Sequence, residues 1–339
     1  MVRNRTLRLK SRPVGMVTAD DFTIADETIP VPEDGQFRVK ISHVSLDPAM
    51  RGWLAAGKSY VPPVAIGSVM RAYAAGIVDA SSHPDFKVGD AVTGMFGVQE
   101  YAVSDGSQGV LKVDTGQAPL ARWIGGLGMP GTTAYFGLLE IGQPQNGETV
   151  LVSAASGAVG SLVGQIAKLK GCRVVGIAGG PAKCSYVTET LGFDACVDYK
   201  SGSWIEDLKQ ACPNGVDIYF ENVGGEIFDT ALGLMNRFGR IPVCGMIANY
   251  NATEPTPGPK NIRYILVNRL TVRGFIVFDF IERYPEAMKA LGEWHHSGAL
   301  TMREDVRTGG VDAFVETLNL LYTGGNLGKL VLSLENSTA

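Results

Sequence analysis

Thr149-Val150-Leu151-Val152 runs through Ser153 and Ala154 into Ala155-Ser156-Gly157-Ala158-Val159-Gly160, and this stretch decides how the rest of the chain is read. The first four residues form a near-continuous apolar run, as a strand buried on both faces requires. Further on, Val159, Leu162, Val163, Ile166 and Leu169 fall on one helical stripe, and Gly171 stops it. The small residues in between answer two needs. The turn is tight, and the backbone must approach a ligand closely. The helix start then offers free N–H groups and a partial positive charge. A strand, such a turn and a helix together predict a cradle for a dinucleotide pyrophosphate. Ala155 stands where the usual G-x-G-x-x-G has its first glycine, so the string gains its weight from the βαβ context.

Outward from this point, strands and helices alternate. Strands are expected at 173–177, 195–198, 217–221 and 240–244, with helices at 182–191, 204–211 and 227–235 between them. That order implies a doubly wound parallel sheet. The stretch 251–259 holds three prolines and a glycine and reads as a loop. A short helix at 261–267, a strand at 271–278, a helix at 285–297 and a strand at 328–333 follow, the last a candidate to rejoin the first domain. Before residue 120 the pattern is β-rich. Gln36-Phe37-Arg38-Val39-Lys40-Ile41 alternates polar and apolar, and Val88-Gly89-Asp90-Ala91-Val92 and Tyr101-Ala102-Val103 read as further short strands of a barrel-like domain.

A chain of 339 residues fits about two domains. With 34 acidic against 30 basic residues its net charge is −4, which speaks against a nucleic-acid partner. A hydrophobic fraction of 45% with 19% charged residues excludes wholesale disorder. No apolar run is long enough to span a membrane. Residues 1–10 carry Arg3, Arg5, Arg8 and Lys10 with no apolar run behind them, so no secretory signal is expected and the cytoplasm is the default. Five cysteines at 172, 184, 196, 212 and 244 include no C-x-x-C pair, and buried thiols in a reduced compartment are expected.

An NAD site places an acid about 20 residues past the turn, against the ribose 2′-hydroxyl. Here Ile177 is followed by Ala178-Gly179-Gly180, and then by Lys183. An acid would repel a 2′-phosphate and a lysine attracts it, so NADP(H) is the expected cofactor.

Other strings widen the comparison. They are Leu9-Lys10-Ser11-Arg12-Pro13, Ser45-Leu46-Asp47-Pro48-Ala49-Met50-Arg51-Gly52, Glu221-Asn222-Val223-Gly224-Gly225 and Gly325-Asn326-Leu327-Gly328-Lys329. With Ala154 to Gly160 they make the whole chain resemble the medium-chain dehydrogenase/reductases. Within these it resembles the zinc-independent prostaglandin, curcumin and plant double-bond reductases. The resemblance implies a GroES-like β-barrel catalytic domain at 1–124, joined by 305–339, and a Rossmann domain at 125–304. It also implies a homodimer and a cofactor in the cleft between the domains. It assigns Ala155, Ser156, Gly157, Ala158, Val159, Gly160 and Gly179 to the cofactor turn and Lys183 and Tyr199 to the 2′-phosphate. Asn222 goes to the nicotinamide half, Asn326 to the phosphates, and Tyr250 to the ribose and pyrophosphate.

Zinc-dependent relatives carry an early cysteine and a Gly-His-Glu near residue 67. The corresponding stretches here read Val44-Ser45-Leu46-Asp47 and Ile66-Gly67-Ser68-Val69, and His43, His83, His295 and His296 lack partners at ligand spacing. No metal is expected. The expected reaction is reduction of the C=C bond of an α,β-unsaturated ketone or aldehyde, which needs hydride at the β-carbon and a hydrogen-bond donor for the enolate oxygen. The resemblance points to Tyr264 as that donor, and a phenol donates well at neutral pH. Ala49 replaces a tyrosine usual in relatives, so Arg51, Trp53 and Tyr60 are candidates for a differently shaped substrate pocket. Met95, Phe96 and Phe278 are candidate apolar walls. The alternatives are an NADPH-dependent quinone reductase and a non-catalytic NADPH-binding protein. The expected partner is a small enone or enal, with no nucleic acid and no membrane.

Overall fold

A computed structural model describes residues 3–107 and 109–335. The chain divides into two compact units. One runs up to Gly125 and resumes at Glu304, and the other is Gly126–Arg303.

The first unit opens with β1 (Asn4–Leu9) and β2 (Phe22–Glu27), an antiparallel pair. In β3 (Phe37–Ser45), Phe37, Val39 and Ile41 are buried and alternate with Arg38 and Lys40, so the period-2 pattern seats one face on the core. Next come α1 (Met50–Trp53), β4 (Ala74–Ser81), β5 (Ala91–Gly94), β6 (Tyr101–Ser104), β7 (Leu111–Lys112) and α2 (Leu120–Trp123). The strand expected over 88–92 starts only at Ala91. Gly89, at φ +95°, turns the chain before it. Where β3 and β4 slip register, a Cβ on Gly76 would lie 2.8 Å from Val39 Cγ1, so only glycine fits.

The second unit begins with α3 (Met129–Phe136), a helix that the periodicity did not reveal. It continues with β8 (Thr149–Ser153), α4 (Gly160–Leu169), β9 (Arg173–Ala178), α5 (Pro181–Ser185), β10 (Ala195–Asp198) and α6 (Trp204–Ala211). Then follow β11 (Val216–Phe220), α7 (Gly225–Leu232), β12 (Met235–Val243), α8 (Arg263–Val267), β13 (Thr271–Gly274) and α9 (Tyr284–His296). The six strands are parallel, in the order β10-β9-β8-β11-β12-β13. The chain reverses its direction of travel between β8 and β11, and ligands of open α/β sheets bind at the strand carboxyl ends beside such a point.

Several expected boundaries move. The helix over 182–191 is a single α-helical turn, α5, that widens into π-helix at Tyr186–Thr190. The helix over 227–235 ends at Leu232, because Gly233 caps it and Met235 already opens β12. The strand over 271–278 stops at Gly274. Phe278 and Phe280 turn inward there onto Phe136, and the Phe280 ring stacks on it at 4.7 Å.

The tail returns to the first unit as β14 (Glu304–Thr308), α10 (Phe314–Thr323) and β15 (Lys329–Ser333). β15 lies between β14 and β3, in the sheet order β14-β15-β3-β4-β5-β7, with β6 also on β3. α10 escaped the sequence reading, yet Phe314 is fully buried and packs edge-on to Phe22. Burying such a side chain is worth about 1.5–3 kcal/mol. At the centre, Lys329 is 3% exposed, and its Nζ donates to Asp47 Oδ1 and to the Leu46 carbonyl, each at 2.7 Å. Ser45 Oγ donates to the other Asp47 oxygen at 2.5 Å. Burial pulls the Lys329 ammonium below its ordinary pKa, and Asp47 opposes that shift.

Removing one partner of a buried ion pair leaves the other charge stranded, at a cost of about 3–5 kcal/mol. Lys329→Met should therefore lower the urea midpoint of unfolding markedly, and adding Asp47→Asn should recover much of the loss. An unchanged midpoint in Lys329→Met would show that the pair carries no such weight.

Candidate active site

The turn after β8 is built on contacts that leave no room for side chains. Ala154 adopts φ +50°, uncommon for a residue with a Cβ, and its carbonyl accepts the Gly157 N–H at 2.9 Å. A Cβ on Gly160 would run into that same carbonyl, and one on Gly164 would fall inside the Phe193 ring. These two glycines let α4 lie close against the sheet. Gly157 meets only the Ala154 oxygen, at 3.1 Å, so its other side is open to a ligand backbone. Ala155 and Ser156 are buried, while Ala158 and Val159 are half-buried at the helix mouth.

Across the switch point, the end of β11 is clamped by a buried carboxylate. Glu221 takes the Tyr219 hydroxyl on Oε2 at 2.6 Å. Its Oε1 accepts the Val223 N–H, the Gly224 N–H at 2.8 Å and the Ser153 hydroxyl at 3.3 Å. Burial pushes the Glu221 pKa above the usual carboxylate value, and these donors hold the rise in check. The clamp fixes the turn in which Gly224 and Gly225 take positive φ. Glu221 belongs to a string quoted from the sequence, but its clamping role was not read there.

Asn222 follows directly. Its Nδ2 donates to the Ser153 carbonyl at 2.8 Å, which ties β11 to β8. Its Oδ1 has no hydrogen-bond partner among the described residues. The Tyr250 hydroxyl accepts the Met246 N–H at 3.2 Å, and the Ile247 N–H bonds the Asn222 carbonyl. Asn222, Tyr250 and the β8 turn thus gather at the carboxyl ends of neighbouring strands.

A second corner forms at the end of β9. The Asp198 carboxylate accepts the Gly180 N–H at 2.7 Å and the Lys200 N–H at 3.0 Å. This carboxylate shapes the loop in which Gly180 takes φ +97°. A Cβ on Gly179 would lie 2.9 Å from Tyr199 Cε1 and 3.1 Å from Lys200 Cε. Gly179, Tyr199 and Lys200 therefore pack together, and Lys183 stands half-buried in the adjoining α5. Lys200 was missed in the sequence. Its signal was a second lysine immediately after the strand-end tyrosine. Two lysines and a phenol beside a glycine packed too closely to carry a Cβ suit a multiply charged anion.

Tyr264 sits half-buried on α8, and its hydroxyl has no hydrogen-bond partner among the described residues. Asn261 fixes the approach to α8 through the Asp229 carboxylate at 2.7 Å. Phe278 packs with Phe136 and Val277 in an aromatic cluster of the second unit.

The remaining candidates lie in the first unit. Arg51 is only 7% exposed, and its guanidinium donates to the Pro13 and Gly15 carbonyls, each at 3.1 Å. It braces that loop. Trp53 is likewise core, at 2% exposed, and its Nε1 donates to the Tyr60 hydroxyl at 3.0 Å. Tyr60 is 48% exposed. Phe96 is buried in the core, and with Met95, Gln99 and Ser104 it lines an open depression of about 330 Å³. Asn326 donates to the Gly328 carbonyl at 3.0 Å, shaping the loop before β15. Among the described residues no three His, Cys, Asp or Glu side chains gather as a metal would require.

Two family descriptions match the chain: "N-terminal domain of oxidoreductase" over residues 5–113 and "Zinc-binding dehydrogenase" over 158–293. The NADPH-dependent curcumin reductase of Escherichia coli (strain K12) is 45% identical over 336 residues, covering 97% of this chain and 96% of that protein. The NADP(+)-dependent 2-alkenal reductase of Nicotiana tabacum is 40% identical, covering 98% and 97%. A crystal structure of CurA from Vibrio vulnificus in complex with NADPH superposes with a TM-score of 0.92 at 43% identity, covering 98% of this chain and 99% of that one. Full-length likeness at this level, on a sheet-rich N-terminal domain and a parallel six-stranded sheet, places the chain in the zinc-independent branch of the medium-chain dehydrogenase/reductase family.

Proposed function

We propose that this chain is an NADPH-dependent reductase of the C=C bond of α,β-unsaturated ketones or aldehydes. The observation that carries the reading is the corner at Gly179. There Tyr199 and Lys200 pack against a glycine that has no room for a Cβ, Lys183 stands on the next helix, and the nearby acid Asp198 is bonded to backbone N–H groups. That donor set fits a 2′-phosphate. The turn from Ala155 to Gly160 would hold the pyrophosphate, Tyr250 the adjoining ribose, and the open Oδ1 of Asn222 the carboxamide of the nicotinamide. Asn326 is proposed as a further phosphate contact. The bound NADPH supplies the hydride for the substrate β-carbon.

The chain's own chemical task is then to receive charge. As the β-carbon is reduced, negative charge collects on the carbonyl oxygen, and a preorganised donor there lowers the barrier. Tyr264, whose hydroxyl has no protein acceptor among the described residues, is the proposed donor. Names of the similar proteins, a curcumin reductase and a 2-alkenal reductase, support an activated C=C as the substrate.

We also propose a homodimer. β13 lies at the open edge of the six-stranded sheet with all four residues exposed, and Leu266 on α8 is 82% exposed. An uncovered edge with apolar neighbours favours pairing with another chain. Light scattering should give twice the 36.1 kDa of one chain. A monomer at working concentration would sink this part.

Two experiments test the reaction. With an aryl enone and a 2-alkenal as acceptors, Tyr264→Phe should lower kcat by about 10²-fold, the scale of a lost oxyanion donor, while the NADPH Kd stays put. Turnover of a quinone alone would move the chain to quinone reduction, and cofactor binding without turnover of any acceptor would favour a non-catalytic role. Separately, Lys183→Ala and Lys200→Ala should each weaken NADPH by about tenfold, or 1.4 kcal/mol, and leave NADH unchanged. Equal effects on the two cofactors would refute the assignment of the corner.

A further inference from the structure

Of the five cysteines, two touch. The Cys196 thiol on β10 donates to the sulfur of Cys184 on α5 at 3.2 Å. Twelve residues of chain separate them, so the contact joins two elements instead of closing a tight turn. Both side chains are half-buried, within reach of a small solute, whereas Cys172 and Cys212 are buried. This departs from the expectation of uniformly buried thiols. Cys184 directly follows Lys183, and Cys196 stands three residues before Tyr199. The pair therefore bridges the two segments that form the Gly179 corner.

The geometry gives the two sulfurs different parts. Burial raises the pKa of both thiols, as does the nearby Asp198. Their mutual hydrogen bond splits them, because Cys196 keeps its proton to donate and the Cys184 thiolate is stabilised by receiving it. Cys184 is thus the sulfur that ionises first, and only a thiolate attacks an oxidant.

We propose that Cys184 and Cys196 form a reversible intrachain disulfide under peroxide, and that this bond weakens NADPH binding by shifting the Lys183 turn from its place in the Gly179 corner. The second half rests on the reading of the Gly179 corner given above. In the first step the Cys184 thiolate attacks hydrogen peroxide. The O–O bond breaks, one oxygen joins Cys184 as sulfenic acid, and the other leaves as hydroxide, which takes up the proton that Cys184 released and becomes water. In the second step Cys196 attacks the Cys184 sulfur. The S–S bond forms, the S–O bond breaks, and a second water leaves with the Cys196 proton. Two thiols and one peroxide give one disulfide and two waters. Closing the sulfurs to about 2.05 Å draws α5 toward β10. Lys183 rides on that helix, whose own five residues are not buried, while the π-helical turn that follows is anchored by the buried Val187.

The test uses the full chain. The folded protein, treated with hydrogen peroxide, denatured and alkylated, should lose two of its five reactive thiols. Peptide mapping should join Cys184 to Cys196, and dithiothreitol should reverse both results. Cys184→Ser and Cys196→Ser should each lose none to disulfide formation. Five alkylated thiols in the treated wild type, a bond through another cysteine or a bond between chains would overturn the proposal. Nicotinamide fluorescence then reads binding. The oxidised wild type should bind NADPH about tenfold more weakly, with NADH unchanged and dithiothreitol restoring the affinity. An unaltered NADPH Kd in protein whose disulfide has been mapped would overturn the regulatory half. A reduced protein that binds NADPH no better than NADH would overturn the phosphate reading and the regulatory half with it, and the thiol count would still decide the disulfide.

Discussion

The Ala154 carbonyl occupies the place that a Cβ on Gly160 would need, and the nucleotide side of the molecule depends on that closeness. It forces Ala154 into a left-handed turn, brings α4 against the sheet and lets Gly157 present bare backbone. A larger residue at position 160 would lift the helix away from β8. The N–H groups that the turn aims outward would then lose their direction, although every strand of the sheet could still form.

Around that fixed turn, acidic side chains act on backbone and not on ligand. Glu221 gathers two N–H groups and two hydroxyls, and Asp198 gathers two N–H groups. Each turns a charge that would repel phosphate into a brace for a loop of the proposed cofactor site. This explains how acids stand beside an anion site without spoiling it. Their charge is satisfied locally, and the outward-facing groups are amides, lysines and phenols.

The parallel sheet was legible because strands buried on both faces leave apolar runs that nothing polar interrupts. β8 shows this most plainly, with all five of its residues buried. The Gly-rich turn was legible because steric need restricts it to small residues. Other features had no such imprint. Half of the Glu221 bonds go to backbone N–H groups, which carry no side-chain signature. α10 was overlooked because its core partners, Phe22 among them, lie far away in the chain. Arg51 and Trp53 could not be placed from the sequence, because a large side chain beside an Asp-Pro loop reads the same whether it points into a pocket or into the core. Lys200 went unnoticed because a lysine after a strand usually belongs to solvent, and only the turn set by Asp198 brings its stem against Gly179.

The position of β15 has a consequence for how the protein is made. The strand is the inner neighbour of β3, and Lys329 reaches Asp47 across a sequence separation of 282 residues. On the ribosome, the His43–Ser45 end of β3 has to wait without its β15 partner until that strand emerges, whereas residues 126–303 already hold every strand of their own sheet. Domains fold as units during synthesis, and non-local pairing is the slow step. The interrupting domain is therefore completed before the domain it interrupts, and the exposed flank of β3 is where a chaperone has most to protect.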